Sequence, residues 1–297
     1  MVHDDSFSST AVILVPHGTR EPAGISQSME LCTEACSVLK HEFGSLPPFY
    51  VGFFEIAEPS LKSMLQLVLE MGRQKVIVVP IMLFSADHIK KDIPALVRQV
   101  VESHAEKPVT VYITSGFGLR LRLSGLARRR QEDALARYKL RPEKTGYVMV
   151  ARGTSDVAAL EEVGSVYTLT AMNSCAHHRL CYFAAAEPRI EDVLEEVAQL
   201  GGISSVLVQP YLLFEGYLTN HLRKLLEQCR QEWPHITWVQ TEVLWPDSSL
   251  VSILAEKVSV ALADSARERL PGSAEVHAEG LTKMGSGVPY RIVSLRD

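Results

Sequence analysis

The feature that most constrains the fold is an internal repeat with a period of about 130 residues. The same series of apolar segments and helical patterns occurs twice along the chain. The matching segments are 12–21 with 147–156, 51–65 with 180–194, and 75–89 with 205–218. Solenoid repeats are much shorter, at roughly 20–50 residues. The sequence therefore predicts that a whole domain has been duplicated.

Within each copy, apolar segments rich in β-branched residues alternate with helical patterns. In the first copy the predicted strands are 11–16, 49–57, 75–84 and 109–116, and the predicted helices are 25–42, 59–73 and 92–104. This alternation is typical of a parallel sheet with helices on its faces. The expected fold class is α/β, with two similar domains, each a parallel sheet flanked by helices, and a ligand cleft between them.

The limits of the repeat also predict the domain boundaries. Residues 1–126 would form the N-terminal domain and residues 144–264 the C-terminal repeat. Segment 127–143 is rich in charged residues and is interpreted as a helix and linker with a solvated face. Scattered Gly, Ser and Pro residues indicate a loosely ordered tail over 265–297.

Composition and charge exclude several classes of function. A net charge of −5 provides no general attraction to nucleic acid. No apolar segment reaches the ~20 residues that span a bilayer, and the N-terminus has acids where a signal peptide needs cations. Five cysteines, an odd number, do not suggest a disulfide framework. We therefore expect a cytoplasmic protein that binds neither nucleic acid nor membranes.

Three residues of metal-binding type are lost together in the second copy, whereas the glycines and prolines of the same segments persist. The replacements are Arg152 for His17, Ala184 for Glu55 and Leu218 for His88. Each of the three residues in the first copy lies where a predicted strand gives way to a loop or helix, at the sheet edge where open α/β folds bind ligands. Two imidazoles and a carboxylate suit a divalent first-row metal ion. Joint loss therefore predicts that the first domain carries one site and that the second is degenerate.

Other interpretations compete at neighbouring positions. The segment from His17 to Arg20 also fits an anion-binding loop at the start of a helix. Glu58 persists in the second copy and is interpreted as structural, because Glu-Pro can cap and open a helix. Cys32 and Cys36 lie one helical turn apart, and Cys175 to Cys181 enclose two histidines. Neither cysteine spacing matches a standard metal site, so both are interpreted as structural.

The motifs resemble the sirohydrochlorin chelatase family, the class II chelatases that insert iron or cobalt into sirohydrochlorin. They are Pro16-His-Gly-Thr-Arg20, Phe54-Glu-Ile-Ala-Glu-Pro-Ser60, and Pro80-Ile-Met-Leu-Phe-Ser-Ala-Asp-His88 followed by Asp92-Ile-Pro94. The segments 152–156 and 210–216 resemble the degenerate C-terminal copy of the family's long form. The resemblance covers about residues 11–262.

The resemblance assigns metal binding and catalysis to His17, Glu55 and His88. This chain has Thr19 where the family has Ser, and Asp87 where the family has a small residue. Asp87 is either a fourth ligand or a loop cap.

Metal insertion removes two pyrrole protons, so the reaction needs a base beside a metal donor, and neutral imidazole can serve as either. The resemblance thus implies two histidines that present the metal ion and accept protons, with Glu55 as a ligand or proton relay. The division of labour between the histidines stays open.

The implied substrate carries eight carboxylates, so cations are expected around the site. Arg20, Lys90 and Lys91 are the candidates, although the two lysines also fit a solvated surface. Fe²⁺ or Co²⁺ is expected as a metal substrate, with no tightly bound cofactor. Iron is favoured, because the His-rich stretch and the terminal Met-x-Cys-x-x-Cys of long cobalt-directed relatives do not occur here.

Three candidate functions follow from these expectations. The leading one is iron insertion to make siroheme, and the first alternative is cobalt insertion for cobalamin biosynthesis. A non-catalytic metal or tetrapyrrole carrier is the alternative from another class. A metal-dependent hydrolase is disfavoured, because no second ligand set or nucleophile accompanies the three residues. The oligomeric state does not follow from the sequence.

Overall fold

The computed structural model describes residues 7, 9–104, 108–119, 121–171, 175–267 and 290–295. The strands are β1 (Thr10–Pro16), β2 (Phe49–Val51), β3 (Lys75–Ile81), β4 (Val109–Thr114), β5 (Thr145–Ala151), β6 (His177–Tyr182), β7 (Ser205–Pro210), β8 (Thr237–Gln240) and β9 (Tyr290–Leu295). The helices are α1 (Pro22–Phe43), α2 (Leu61–Glu70), α3 (Ile93–His104), α4 (Leu121–Arg137), α5 (Val157–Ala171), α6 (Ile190–Ala198), α7 (Tyr217–Glu232) and α8 (Ser248–Arg267). A π-helical turn, His88–Asp92, precedes α3, and a short 3₁₀ turn, Pro142–Lys144, precedes β5.

The strands form two parallel sheets with the same internal order. The first sheet has the order β2-β1-β3-β4-β9 and the second β6-β5-β7-β8. The registers correspond as well, since Val15 pairs with Pro80 in the first sheet and Val150 with Pro210 in the second. The predicted α/β class with two similar parallel sheets is confirmed.

The central strands β1 and β5 are buried along their whole length and are mostly apolar. A strand buried on both sides gains nothing from the polar alternation of a half-exposed strand, which explains the continuous apolar runs in the sequence. Each sheet has its own core, with α2 and α3 packed on the first and α6 and α7 on the second.

The chain forms two compact units whose limits differ from those of the sequence repeats. Unit 1 comprises residues 1–20, 28–118 and 250–297, and unit 2 comprises residues 21–27 and 119–249. From Leu250 onwards, helix α8 thus belongs to unit 1, although most of it lies within the predicted C-terminal repeat of residues 144–264. There the Lys257 ammonium donates to the Ser115 hydroxyl at 3.0 Å, and the Lys75 ammonium donates to the Ser265 carbonyl at 2.7 Å.

Two further elements differ from the sequence-based expectations. The predicted strand 49–57 is regular only over Phe49–Val51, because the chain bends beyond it and Ile56 has a φ of 68°. Within the predicted tail, β9 pairs in parallel with β4, whereas residues 268–289 lie outside the described part of the chain. Among the helices that the structure describes, none has the length and apolar character needed to span a membrane.

Candidate metal centre

His17 and Glu55 are brought together by the backbone at the carboxyl end of β1. The Glu55 amide donates to the His17 carbonyl at 2.8 Å, and the Phe54 amide donates to the Pro16 carbonyl at 2.9 Å. Gly18 lies where these two segments of the chain meet and has a φ of 97°. A Cβ atom there would be 1.9 Å from the Glu55 carbonyl oxygen. Glycine is required at this position both for its conformation and for the close approach.

The side chains of His17, Glu55 and His88 lie at one edge of the first sheet. The His17 Nε2 atom is 3.9 Å from the Glu55 Oε2 atom, and the imidazole ring centroids of His17 and His88 are 5.3 Å apart. Their exposed side-chain fractions are 26%, 43% and 31% in chain order, so solvent and ligands can reach all three.

Both imidazoles contact protein acceptors through Nδ1. In His17 this nitrogen is 3.3 Å from the Gly18 carbonyl oxygen, and in His88 it is 2.9 Å from the Asp92 Oδ2 atom. Carbonyl and carboxylate oxygens accept hydrogen bonds, so the neutral tautomer with its proton on Nδ1 satisfies both contacts. In that tautomer Nε2 has the lone pair, and this is the atom of His17 that faces Glu55.

A metal ion bound about 2.0–2.1 Å from each of two donors can bridge donors up to roughly 4 Å apart. The His17 and Glu55 donor atoms are within this span. Among the residues that the structure describes, however, no group of three His, Cys, Asp or Glu side chains is arranged to hold a metal ion as it stands. His88 would have to approach the pair by side-chain rotation.

Two residues of this edge were missed by the sequence reasoning. Asp92 was predicted only as the first residue of the helix over 92–104, but its carboxylate contacts the His88 ring at 2.9 Å, as carboxylates behind metal-binding histidines do. The four-residue spacing from His88 on a helical turn is the signal that could have revealed it. The ring centroid of Phe54 is 5.0 Å from that of His88 and 6.2 Å from that of His17. This apolar ring forms one wall beside the two imidazoles.

The predicted cations all lie on the surface near these residues. Arg20, Lys90 and Lys91 are exposed. The Lys91 ammonium is 2.8 Å from the Asp87 Oδ1 atom, and the Asp87 side chain makes no helix-capping hydrogen bond. Asp87 thus pairs with Lys91 without capping the helical turn, and its two alternative roles stay predictions.

Glu58 has the structural role predicted for it, although Ser60 is the helix cap. The Glu58 carboxylate accepts from the Ser60 amide at 2.6 Å, and the Ser60 hydroxyl accepts from the Ser63 amide at the start of α2.

The burial of the cysteines supports the interpretation that they are structural. Burial raises the pKa of the Cys36 thiol to about 11 and raises that of Cys32 further. In unit 2, Cys181 is buried, and the His178 Nε2 atom is 2.8 Å from the Cys175 carbonyl oxygen. Neutral, buried thiols are poor metal ligands, because the thiolate is the binding form.

The fold and this edge together define a class of protein: an open α/β protein of two parallel-sheet units, with two histidines and a glutamate at the carboxyl edge of the first sheet. The CbiX family model matches residues 11–134 and 146–261. The chain belongs to the CbiX family.

Named relatives match over most of their length. A protein of Priestia megaterium called sirohydrochlorin ferrochelatase is 28% identical over 263 residues, which cover 87% of this chain and 92% of the relative. A sirohydrochlorin cobaltochelatase of the same organism is 24% identical, over 85% of this chain and 80% of that protein.

A solved structure, SirB from Bacillus subtilis with Fe3+, matches with a TM-score of 0.68 and 22% identity, and covers 88% of this chain and 98% of that one. This likeness shows a shared two-unit fold.

Proposed function

We propose that this chain inserts a divalent metal ion, with Fe²⁺ favoured, into sirohydrochlorin to form siroheme. The observation that carries the proposal is the placement of His17, Glu55 and His88 at one sheet edge in a member of the CbiX family. Its similarity to the Priestia megaterium ferrochelatase along nearly the whole chain supports the substrate.

The three side chains supply the two functions that the reaction needs. The reaction replaces two pyrrole N–H protons by one M²⁺ ion, so two protons must leave as the metal ion moves onto the ring nitrogens. The Nε2 lone pairs of His17 and His88 are suited first to present the metal ion and then to accept a proton. Glu55, 3.9 Å from His17, would share the metal ion and afterwards stabilise a protonated imidazole.

Asp92 would hold the His88 ring in one orientation throughout. Its hydrogen bond to Nδ1 fixes Nε2 as the reacting atom and makes that atom a better donor. Arg20, Lys90 and Lys91 would attract the carboxylates of the macrocycle. Exposed cations of this kind mainly steer an anionic ligand and raise its local concentration.

Cobalt insertion is the second candidate function. It is supported by the similarity to the Priestia megaterium cobaltochelatase, and by the fact that imidazole and carboxylate ligands accept both metals. A non-catalytic carrier is the remaining alternative.

The experiment measures the rate of metal insertion under anaerobic conditions. The protein is mixed with sirohydrochlorin and Fe²⁺ or Co²⁺, and the reaction is monitored by the visible spectrum of sirohydrochlorin. We expect His17→Ala, Glu55→Ala and His88→Ala each to lower the rate by about 10²–10⁴-fold, the usual contribution of a positioned acid or base. His41→Ala is the matched control, because His41 lies exposed in the last turn of α1. Near-normal rates in all three variants would contradict the assigned residues, and a wild-type rate no faster than the uncatalysed reaction would favour the carrier.

A further inference from the structure

Helix α8 holds a buried lysine at the same sheet edge as the candidate metal centre. Lys257 is 3% exposed, and its ammonium donates to the Ser115 hydroxyl at 3.0 Å. Ser115 directly follows β4, which is parallel to β3, so the contact lies at the carboxyl edge of the first sheet. Lysine is almost never fully buried unless its ammonium is paired or hydrogen-bonded. The contact with Ser115 is therefore part of what allows α8 to pack on this sheet.

The segment 115–118, which begins at this contact, is packed tightly on the segment 82–85. The Gly116 amide donates to the Ser85 hydroxyl at 2.8 Å. The next two amides, of residues 117 and 118, donate to the carbonyls of residues 82 and 83 at 2.8 and 2.7 Å. A Cβ atom at residue 116 would be 2.9 Å from the carbonyl oxygen of residue 82, so there is no space between the two segments. A shift of one segment must therefore displace the other.

The segment 82–85 leads directly into the turn that carries His88. Ser85 lies three residues before His88. The Ala86 carbonyl accepts hydrogen bonds from the Ile89 and Lys90 amides at 3.0 Å each, so the place of Ala86 determines where the turn begins. Direct contacts thus run from the ammonium of α8, through segments 115–118 and 82–85, to the backbone of His88.

Unit 2 has a cation at the equivalent helix position. Lys257 is the tenth residue of α8, and Arg130 is the tenth residue of α4. The Arg130 guanidinium donates to the carbonyls of Val243, Leu244 and Pro246 at 3.0, 3.1 and 2.6 Å. These carbonyls follow β8, as segment 115–118 follows β4. In both units a cation from a helix therefore holds the loop beyond a strand, but only in unit 1 does that loop pack on a segment leading to a histidine of the candidate metal centre.

We propose that Lys257 is a positioning residue for His88. The inference rests on the proposed function for the role of His88 in metal binding. By holding segment 115–118 against segment 82–85, the ammonium fixes the backbone from which the His88 ring rotates towards His17 and Glu55. The second repeat therefore contributes to the metal centre through a helix that packs in unit 1.

The test is the binding of Co²⁺ to the full chain without a tetrapyrrole, measured by the visible absorption of the bound ion. Lys257→Met keeps the apolar stem but removes the ammonium. We expect it to raise the dissociation constant for Co²⁺ about 3- to 30-fold, the range for a residue that acts on a site through packed neighbours. Lys257→Arg should bind within about threefold of the wild type, because arginine keeps the charge and occupies this helix position in unit 2.

Lys75→Met is the matched control, because the Lys75 ammonium also bonds α8, at the Ser265 carbonyl, at 2.7 Å. Lys75 is the first residue of β3, so this contact lies at the amino edge of the sheet, away from the candidate metal centre. Both substitutions should lower the urea midpoint, whereas only Lys257→Met should weaken Co²⁺ binding. A wild-type dissociation constant in Lys257→Met would overturn the proposal, as would an equal rise in Lys75→Met.

Hydrogen exchange separates this proposal from the proposed function, because it needs neither metal nor tetrapyrrole. Amides in segment 82–90 should exchange faster in Lys257→Met than in the wild type or in Lys75→Met, since local opening of this segment becomes easier. If the wild type neither binds Co²⁺ nor inserts metal, but exchange in this segment depends on Lys257, the proposed function fails and the positioning of His88 stands. If the wild type inserts metal, and Lys257→Met shows wild-type exchange and Co²⁺ binding, the positioning proposal fails alone.

Discussion

Replacement of Gly18 by alanine, compared with the same change at Gly153, tests whether the metal centre lies in unit 1 alone. A Cβ atom at residue 18 would be 1.9 Å from the Glu55 carbonyl oxygen, and one at residue 153 would be 1.8 Å from the Ala184 carbonyl oxygen. Both glycines also have positive φ angles, 97° and 84°. The two substitutions thus impose nearly the same local strain in the two units.

The structure gives the size of the effect. A non-glycine residue with positive φ costs about 1–2 kcal/mol, and inserting an atom into a filled space costs about 1–3 kcal/mol, so each variant should lose about 2–5 kcal/mol of stability. To bring the new contact to 3.0 Å, the Glu55 carbonyl must retreat by about 1.1 Å. A misplacement of about 1 Å at a reacting group lowers the rate by about 10²-fold. In Gly153→Ala the displaced residue is Ala184, which has no reacting group.

The assay is kcat for metal insertion at saturating sirohydrochlorin, together with urea denaturation of each variant. Gly18→Ala should lose kcat by about 100-fold. Gly153→Ala should keep kcat within about threefold, because the residue it displaces, Ala184, has no group that can bind metal or move a proton. Equal losses of kcat in the two variants would refute the reasoning, since their strain is matched and only one of them moves Glu55.

Three further predictions concern single interactions. Asp92→Asn should raise the KM for Fe²⁺ by about 10- to 100-fold, because the His88 ring loses its carboxylate partner; steady-state kinetics at varied metal would contradict this with an unchanged KM. Tyr147→Phe should lower the free energy of unfolding by about 1–3 kcal/mol in urea, because the buried Gln209 Oε1 atom loses the hydroxyl that donates to it at 2.5 Å. Burial raises the pKa of Cys36 from 9.0 to about 11, so the folded state holds this proton more tightly than the unfolded state; the resulting stability is complete below pH 9 and is lost as the pH rises towards 11. The urea midpoint should therefore be lower at pH 10.5 than at pH 8, and equal midpoints would count against this reasoning.

The sequence predicts those parts of the fold that depend on local pattern. The strand at residues 75–81 is a continuous apolar run, and the helix over 93–104 has apolar residues at helical spacing. Both are found close to their predicted bounds. Two features depend instead on contacts between distant residues. The pairing of β9 with β4 and the packing of α8 in unit 1 join segments more than 130 residues apart, and no local pattern reports such a contact.

The sequence predicts those residues of the candidate site that differ between the two copies of the repeat. Loss of three residues in the second copy pointed to His17, Glu55 and His88, and the structure places them at one edge, while their roles stay predictions. The contact of Asp92 with His88 was not predicted, because a carboxylate at the start of a helix can either cap the helix or pair with a histidine one turn earlier. Which use prevails depends on the orientation of His88, which the sequence does not specify.

The composition of unit 1 from separate segments determines the order in which the protein can fold during its synthesis. Its four strands β1 to β4 leave the ribosome first, but α8 and β9 are translated only after the whole of residues 119–249. Domains generally fold as they emerge, with the N-terminal one ahead. Here unit 2, whose segments all precede residue 250, has its complete chain first. The unit that carries His17, Glu55 and His88 is therefore the later one to be completed, so a nascent chain would acquire the surface of its second repeat before its candidate metal centre is secured.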